Sequence, residues 1–445
     1  MDDVMEKLVS LCKRRGFIFQ SSEVYGGLNG CWDYGPLGVE LLRNIKDSWW
    51  KAMTYREDVE GIDASILMHP RVWEASGHVE GFTDPMIDCR NCNSRFREDA
   101  VTDAQRDAGQ CPACGNKEVL TEARDFNLMF KTFVGPLEDE SARAFLRPET
   151  AQGIFVNFLN VQTAMRHKLP FGIAQIGKAF RNEINTKNFL YRTREFEQME
   201  MQYFVRPGTE DEWFDYWREQ RWNWFGSIGL PESRLSWHEH KGDELAHYAR
   251  AAFDIEYAFP FGPGEIEGIH NRGDFDLGRH EEFSGKSLRF FDDQTREKIL
   301  PSVIETSIGA SRTCMACLVH AYQEEEVDGE KRVVMRFHPR VAPLKVAVLP
   351  LVKRDNMPDV AHRIVESLRS SLPVFYDEGG AIGRRYRRMD EVGTPYCVTV
   401  DSQTLEDQTV TVRERDSMAQ DRVPIDGLQT DIARRIESWE PVAGS

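Results

Sequence analysis

The sequence predicts an α+β fold, a domain built on an antiparallel sheet and carrying two insertions, followed by a smaller α/β domain. Three observations predict it. Residues 171–183 and 191–205 alternate as strands on either side of the short loop 184–190, which reads as an antiparallel hairpin. Two cysteine pairs, Cys89-x-x-Cys92 and Cys111-x-x-Cys114, interrupt a stretch without periodicity. After the run Phe337-His338-Pro339-Arg340-Val341-Ala342-Pro343, strands alternate with helices for about 100 residues. The boundary expected from that run divides the chain into 1–340 and 341–445.

Composition bounds the reading. A chain of 445 residues exceeds one ordinary core, and 41% apolar with 11% aromatic residues is the make-up of a folded protein. No apolar run reaches the roughly 18–20 residues that span a bilayer. The N-terminal stretch, Met1 to Lys13, reads as a short amphipathic helix without a signal-peptide core, so no membrane partner and a cytoplasmic location are expected. A net charge of -17 argues against indiscriminate nucleic-acid binding but leaves room for a local basic patch. Arg384-Arg385-Tyr386-Arg387-Arg388 is the one that stands out. Alone it reads as a solvated helix face; RNA contact is the functional reading.

Taken in order, Pro36 opens a helix through residue 53, with Leu37, Leu41, Ile45, Trp49 and Met53 recurring every four residues. Trp49-Trp50 implies burial against something large, a second subunit or the chain's own core. Residues 61–138 hold the cysteines, whose spacing matches a structural zinc ribbon at Cys89, Cys92, Cys111 and Cys114; disulfides are the other reading, and nothing points to an oxidising compartment. Cys314 and Cys317 share the spacing but lie in an apolar helical run, as core thiols do. Residues 211–285 are expected to be a mostly helical insertion, on the aromatic spacing between 211 and 258, with short strands near Glu265 to Ile269 and Ser287 to Asp292. Pro301 to Tyr322 reads as strand, glycine turn and buried helix. Beyond the linker come a strand at Val346 to Leu349, a helix from about Pro358 to Ser370, and strand Val374-Phe375-Tyr376. The arginine-rich helix and strands at 396–400 and 409–414 complete the pattern.

The hairpin carries the chemistry. Period two puts Arg181 and Glu183 on one face of the first strand, and Arg194, Phe196, Gln198 and Glu200 on one face of the second. Guanidinium, carboxylate and aromatic groups converging on a sheet face are costly unless they meet a ligand. The string Phe180-Arg181-Asn182-Glu183, a loop, then Arg194-Glu195-Phe196 resembles motif 2 of the class II aminoacyl-tRNA synthetases. Ser307-Ile308-Gly309-Ala310-Ser311-Arg312 resembles motif 3, and the helix at 36–53 fits the dimer-forming motif 1. Finer strings resemble the glycine-specific branch of the short α2 type: Tyr34-Gly35-Pro36-Leu37-Gly38, Ala75-Ser76-Gly77-His78, Phe126 to Phe130 and Leu146 to Gly153. The likeness runs from about Tyr25 to Arg422.

The resemblance implies an antiparallel-sheet class II catalytic domain, an anticodon-binding α/β domain, and a homodimer. It implies that ATP and glycine are joined to glycyl-adenylate, with Mg²⁺ on the phosphates and Zn²⁺ in the cysteine site, before transfer to tRNA-Gly. Carried over residue by residue, Arg181 and Arg312 become the catalytic arginines, on the α- and γ-phosphates. Glu183 reads the adenine amino group and Phe196 stacks on the base. The other ATP positions are Asn182, Tyr191, Arg192, Thr193, Arg194 and Glu195 on motif 2, Glu265 and Ile266, and Gly309, Ala310 and Ser311 on motif 3. Ser311 stands where relatives often carry aspartate. Glycine falls to Glu149, Glu200 and Glu305 around its ammonium group with Ser307 beside them, and to Phe196, Glu197, Gln198, Met199, Thr306, Ile308 and Gly309. Arg97 matches a family position near the amino acid but sits beside the zinc ribbon. Larger amino acids are excluded sterically, so no editing domain is needed. The competing readings are a synthetase for threonine, proline or histidine, and a non-catalytic paralogue. The first, for threonine, lacks a metal-ligand cluster near the hairpin; a scaffold has no use for Arg181, Glu183, Phe196 and Arg312 together.

Overall fold

The computed structural model describes residues 2–242, 245 and 249–440, and a seven-stranded sheet lies at its centre. In chain order its elements are helix α1 (Pro36–Thr54), strands β1 (Val59–Ile62), β2 (Phe171–Phe180) and β3 (Glu195–Val205), and helix α2 (Glu210–Ser227). Strands β4 (Leu235–Glu239), β5 (Ala251–Phe259) and β6 (Gly262–Gly273), helix α3 (Phe275–Ser284), strand β7 (Ser302–Gly309) and helix α4 (Ala310–Ala321) follow. The spatial order is β4-β5-β6-β7-β3-β2-β1, antiparallel except for the β1–β2 pair.

Pro36 occupies the first turn of α1, where its missing N–H costs nothing. Leu41, Ile45, Trp49 and Met53 are buried in the chain's own core, so Trp49 needs no second subunit to cover it. Gly38 lets the helix press against Phe17: a Cβ there would stand 1.9 Å from the Phe17 carbonyl oxygen. One sheet face packs on α1, α2 and α4 through Met199, Met201 and Tyr203 of β3 and Ile304 and Ile308 of β7. The other face changes along its length. Phe204 and Val303 sit in a second apolar cluster with Phe155, Phe171 and Leu277. Further along the same strands come Gln202, Glu200 and Glu305, and finally Gln198, Phe196 and Ser307, which line an open cleft.

Two expectations are corrected. The hairpin strands are shorter than the alternation suggested, and residues 181–194 form one loop in which Asn188 and Phe189 take positive φ. Arg181, Glu183 and Arg194 therefore leave the sheet, although the Arg181 N–H still donates to the Arg194 carbonyl at 2.9 Å. Residues 211–285 are not mostly helical: α2 is followed by β4, β5 and β6 before α3, and residues 243, 244 and 246–248 of that stretch lie outside the described residues. Aromatic side chains suit a pleated surface as well as a helix. Phe253, Ile255, Tyr257 and Phe259 recur every second residue, the strand period.

Residues 61–138 carry a three-stranded sheet, Thr83–Asp88, Arg95–Arg97 and Arg124–Asn127, with the cysteines in its loops. At the C-terminal end, β8 (Val346–Pro350), helix α5 (Met357–Arg369), β9 (Val374–Tyr376), helix α6 (Ile382–Val392), β10 (Tyr396–Val400), β11 (Thr409–Glu414), β12 (Gln420–Pro424) and helix α7 (Leu428–Glu437) enclose a core of their own. The order β9-β8-β10-β11-β12 is parallel at its first three strands and antiparallel beyond. The arginine run on α6 is not a free basic patch. Arg385 is buried and donates to the carbonyls of Pro350, Leu351 and Asp377, and Arg388 is held by Asp377 and the Gly379 carbonyl. A chain that buries an arginine must satisfy its donors, and here loop carbonyls do so. Arg384 faces solvent, and Arg387 and Arg388 do so in part.

Candidate active site

The cleft at the open end of β3 and β7 has about 600 Å³ of space including its mouth. Its lining joins Arg181, Glu183, Leu190, Tyr191, Arg192 and Thr193 from the 181–194 loop with Phe196 and Gln198 of β3. Glu265 of β6, and Ser307, Gly309, Ser311 and Arg312 from the β7–α4 junction, close it. Phe196 and Gln198 face inward by the two-residue period of β3, and Ser307 and Gly309 by that of β7. The register pairs Gln198 with Gly309 and Glu200 with Ser307.

Glu265 reaches the cleft by a different device. Strand parity would turn it the same way as Glu267, which is fully buried against Arg221. A bulge at Ile266, where Glu256 pairs with Glu265 but Ile255 with Glu267, reverses it. Glu265 then meets Arg312, Nη1 to Oε2 at 2.9 Å, and Arg312 holds the Glu265 carboxyl below its ordinary range. Arg312 also donates from Nε to the Tyr191 carbonyl at 3.2 Å and lies over the Tyr191 ring, 4.6 Å from its centroid. Gly264 makes room for that ring: a Cβ there would stand 2.8 Å from the Tyr191 hydroxyl.

Arg181 is held from two sides. Its Nε donates to the Pro148 carbonyl at 3.1 Å, and its guanidinium carbon lies 5.3 Å from the Phe196 ring and 5.2 Å from that of Phe82. Glu183 is buried, and its Oε2 accepts no hydrogen bond among the described residues but lies 3.8 Å from Arg192 Nε, a long ion pair. The loop rests on the rest of the chain through the Asn182 N–H on the Leu128 carbonyl, 2.7 Å, and the Arg194 N–H on the Gly30 carbonyl, 2.8 Å.

Beneath the cleft lies a buried layer of acids and their partners. Glu200 and Glu305 are 1% and 3% exposed, and both Oε1 atoms accept from the Gln202 amide nitrogen at 2.8 Å. Glu200 also accepts from the Thr150 hydroxyl. Glu305 is bound by Arg272, 3.0 and 3.1 Å, and by His270 Nδ1, 2.6 Å. Burial alone would raise the Glu305 carboxyl, but Arg272 and then His270 draw it well below its ordinary range. Glu149 pairs with His78 Nε2 at 3.2 Å and accepts from Gln152 at 2.9 Å; against burial, His78 brings it down to about 2. Arg272 continues to Asp276 at 2.7 and 2.9 Å, which Gln152 joins at 3.2 Å. The acids form one connected network.

The structure brings together Arg181, Glu183, Tyr191, Arg192, Thr193, Phe196, Gln198, Glu265, Ser307, Gly309, Ser311 and Arg312 around the cleft, with Glu149, Glu200 and Glu305 beneath it. It does not bring the remaining expected side chains there. Met199, Ile266, Ile308 and Ala310 lie in the core on the opposite face, and Thr306 turns the same way, because neighbours along a strand alternate. Only their backbone can reach a ligand. Glu195 pairs with Lys178 and Glu197 with Lys46. The Arg194 guanidinium is spent on the Glu183 and Asn29 carbonyls, and Asn182 lies outside the lining. Arg97 is paired with Asp84 and Asp99 on the insertion sheet. Sequence reasoning missed Gln202, His270, Arg272, Asp276 and Thr150. Gln202 follows from the period that gives Glu200. Arg272 had no such signal, since a second irregularity of β6, between Asn271 and Gly273, aims it.

The four insertion cysteines fit a metal. Their sulfurs all lie within 4.8 Å of one another, with Cys89 to Cys114 at 3.9 Å and Cys92 to Cys111 at 3.7 Å. A tetrahedral zinc with Zn–S bonds of about 2.3 Å separates its sulfurs by about 3.8 Å. The Cys92 and Cys114 N–H groups point at Cys89 and Cys111 Sγ, 3.5 and 3.4 Å. Cys314 and Cys317 are buried, and burial pushes the Cys317 thiol up to about 12.

Comparison with known proteins agrees with this geometry. Residues 130–322 match the family described as the tRNA synthetase class II core domain (G, H, P, S and T). Residues 345–435 match the anticodon binding domain. The chain is 56% identical over 443 residues to a glycine–tRNA ligase of Treponema denticola, 98% of each chain being covered. It is 55% identical over 441 residues to that of Borreliella burgdorferi, again covering 98% of each. It is 53% identical over 446 residues to that of Treponema pallidum, covering 94% of this chain and 96% of the relative.

Proposed function

The chain belongs to the glycine–tRNA ligases, and from that premise we propose how its residues divide the work of activating glycine with ATP and passing it to tRNA-Gly. It is an ATP-dependent ligase whose products include AMP and pyrophosphate. The observation that carries the residue assignment is the convergence of Arg181, Phe196 and Arg312 on one cleft directly above the Glu149–Glu200–Glu305 layer.

In this reading ATP lies in the cleft with adenine on Phe196, its amino group toward the Glu183 oxygen that accepts no hydrogen bond among the described residues. Arg181 holds the α-phosphate and Arg312 the γ-phosphate. An arginine keeps its charge and grips phosphate as a fork. Both are held by carbonyls and rings before substrate arrives, so little reorganisation is left for the reaction. The ammonium of glycine lies toward Glu149, Glu200 and Glu305, with Ser307 and Gln198 near its carboxylate. In this placement the methyl group of alanine would have to enter the buried layer of Glu200 and Glu305, which would exclude it without editing. The glycine carboxylate attacks the α-phosphorus in line, pyrophosphate leaves, and the terminal tRNA hydroxyl then attacks the glycyl carbonyl and releases AMP. Positioning and electrostatics supply the catalysis.

Mg²⁺ fits with the triphosphate, where it would neutralise charge; Glu265 is the lining carboxylate that would face it. Zn²⁺ fits the four thiolates as a structural ion. We further assign residues 1–340 to catalysis and 341–445 to reading the anticodon, with the protein acting as a cytoplasmic homodimer. No described helix is long and apolar enough to cross a membrane. The test is ATP–pyrophosphate exchange across all amino acids. Exchange with glycine alone is expected, and exchange driven equally by alanine or serine contradicts the pocket assignment.

A further inference from the structure

Of the three glutamates beneath the cleft, two have basic partners in the chain itself. Glu305 has Arg272 and His270, and Glu149 has His78. Glu200 has no ion pair among the described residues: its carboxyl accepts only from the Thr150 hydroxyl and the Gln202 amide, and Arg147, the cation that faces it, donates to the Lys178 and Ala64 carbonyls. It is nevertheless the most buried of the three glutamates, 1% exposed, and Gln202 ties it to Glu305 by spending both N–H bonds of one nitrogen on the two Oε1 atoms. Two carboxylates tied to one amide nitrogen in a dry layer, with the guanidinium of Arg272 on Glu305 alone, do not both stay ionised.

We infer that the free protein holds a proton on Glu200, shared toward Glu305, and that the ammonium group of glycine expels it. The inference rests on the placement of glycine argued above. In the step, the O–H bond of the Glu200 carboxyl breaks, the proton passes to water or buffer, and the incoming zwitterion brings its own ammonium charge in its place. The charge of the layer is thus the same before and after binding. Gln202 is the positioning residue that keeps the two carboxyl groups at one separation in both states.

The surroundings point the same way. Burial, then Glu305, then Glu149 push the Glu200 carboxyl well above the ordinary range. The charged groups facing the layer are Glu305, His270 and Arg272 from the neighbouring strands, Asp276 from α3, and Glu149, His78 and Arg147 from the segments above. Arg272 and His270 are committed to Glu305 and Asp276, so neither relieves Glu200.

Calorimetric titration of glycine into the full-length protein with a non-hydrolysable ATP analogue, in buffers of different ionisation enthalpy, reads the proton directly. About one proton released per glycine near neutral pH is expected. The KM for glycine in ATP–pyrophosphate exchange should fall by up to about tenfold per pH unit as pH rises through neutrality, while the KM for ATP stays level. Glu200→Gln should weaken glycine and abolish both the release and the pH slope. Gln202→Met should raise the glycine KM without moving that of ATP. Glycine binding with no proton exchanged overturns the inference, as does release that persists in Glu200→Gln, which would assign the proton to His78 or His270. Failure of the underlying placement looks different: Glu200→Gln would then bind glycine as the parent does at every pH.

Discussion

Arg312 acts through what holds it. Its Nε and Nη1 are fixed by the carbonyls of Tyr191 and Glu265, and its plane rests on the Tyr191 ring, which in turn needs the empty space above Gly264. Gly264→Ala should push the ring aside and raise the KM for ATP by about tenfold, a small displacement being enough for that loss; exchange kinetics would show it, with the glycine KM little changed. Arg181, Glu183, Phe196 and Arg312 are legible in the sequence because each sits in a string that resembles a class II motif, and so are the acids Glu149, Glu200 and Glu305. The partners of those acids are not legible. Arg272 is aimed by an irregular strand, and the segment Ala75 to His78 carries no local sign that His78 meets Glu149. A carboxylate's partners come from other elements, and one strand's period does not reveal them.

At the scale of elements, β2 and β3 are legible from their alternation and β7 from its place before a glycine turn and a buried helix. β5 is not, because its aromatic residues continue a run at helical spacing although their own period is two. Bulges are not readable from polarity alone, and here one of them delivers Glu265. The cysteine insertion touches the site through its own sheet. Phe82 lies against Arg181 and the Leu128 carbonyl holds Asn182. Structural zinc supplies folding energy to such small units. Purified protein should therefore carry about one zinc per chain. Removal by chelator should lower pyrophosphate exchange together with the thermal transition; a metal-free protein of unchanged activity and melting would contradict this.

Across the whole molecule, the two cores are joined by ion pairs rather than by a loose linker. Arg332, from the hairpin after α4, binds Asp390 of α6 in a fully buried pair that Arg413 of β11 shares from the C-terminal side, and the half-buried Arg15 binds Glu391. Lys345 donates to the carbonyls of Pro339, Arg340 and Ala342 and so fixes the connecting segment. The arginine run at 384–388 is thus part structure and part surface. Charge removal at Arg384 and Arg387, which leaves the buried Arg385 in place, should weaken tRNA aminoacylation several-fold and spare adenylate formation. Equal rates in both assays would remove RNA from the role of that helix. The separate C-terminal domain was legible from the alternation of strand and helix. Its docking was not, since arginine–aspartate pairing across elements leaves no local pattern.

Glycine-dependent ATP–pyrophosphate exchange of Arg181→Ala against the parent protein tests most directly whether the 181–194 loop and the faces of β3 and β7 form one site for ATP and glycine. A loss of at least about 10²- to 10³-fold is expected, the usual effect of deleting one donor to the transition state. Exchange within a few-fold of the parent would contradict it.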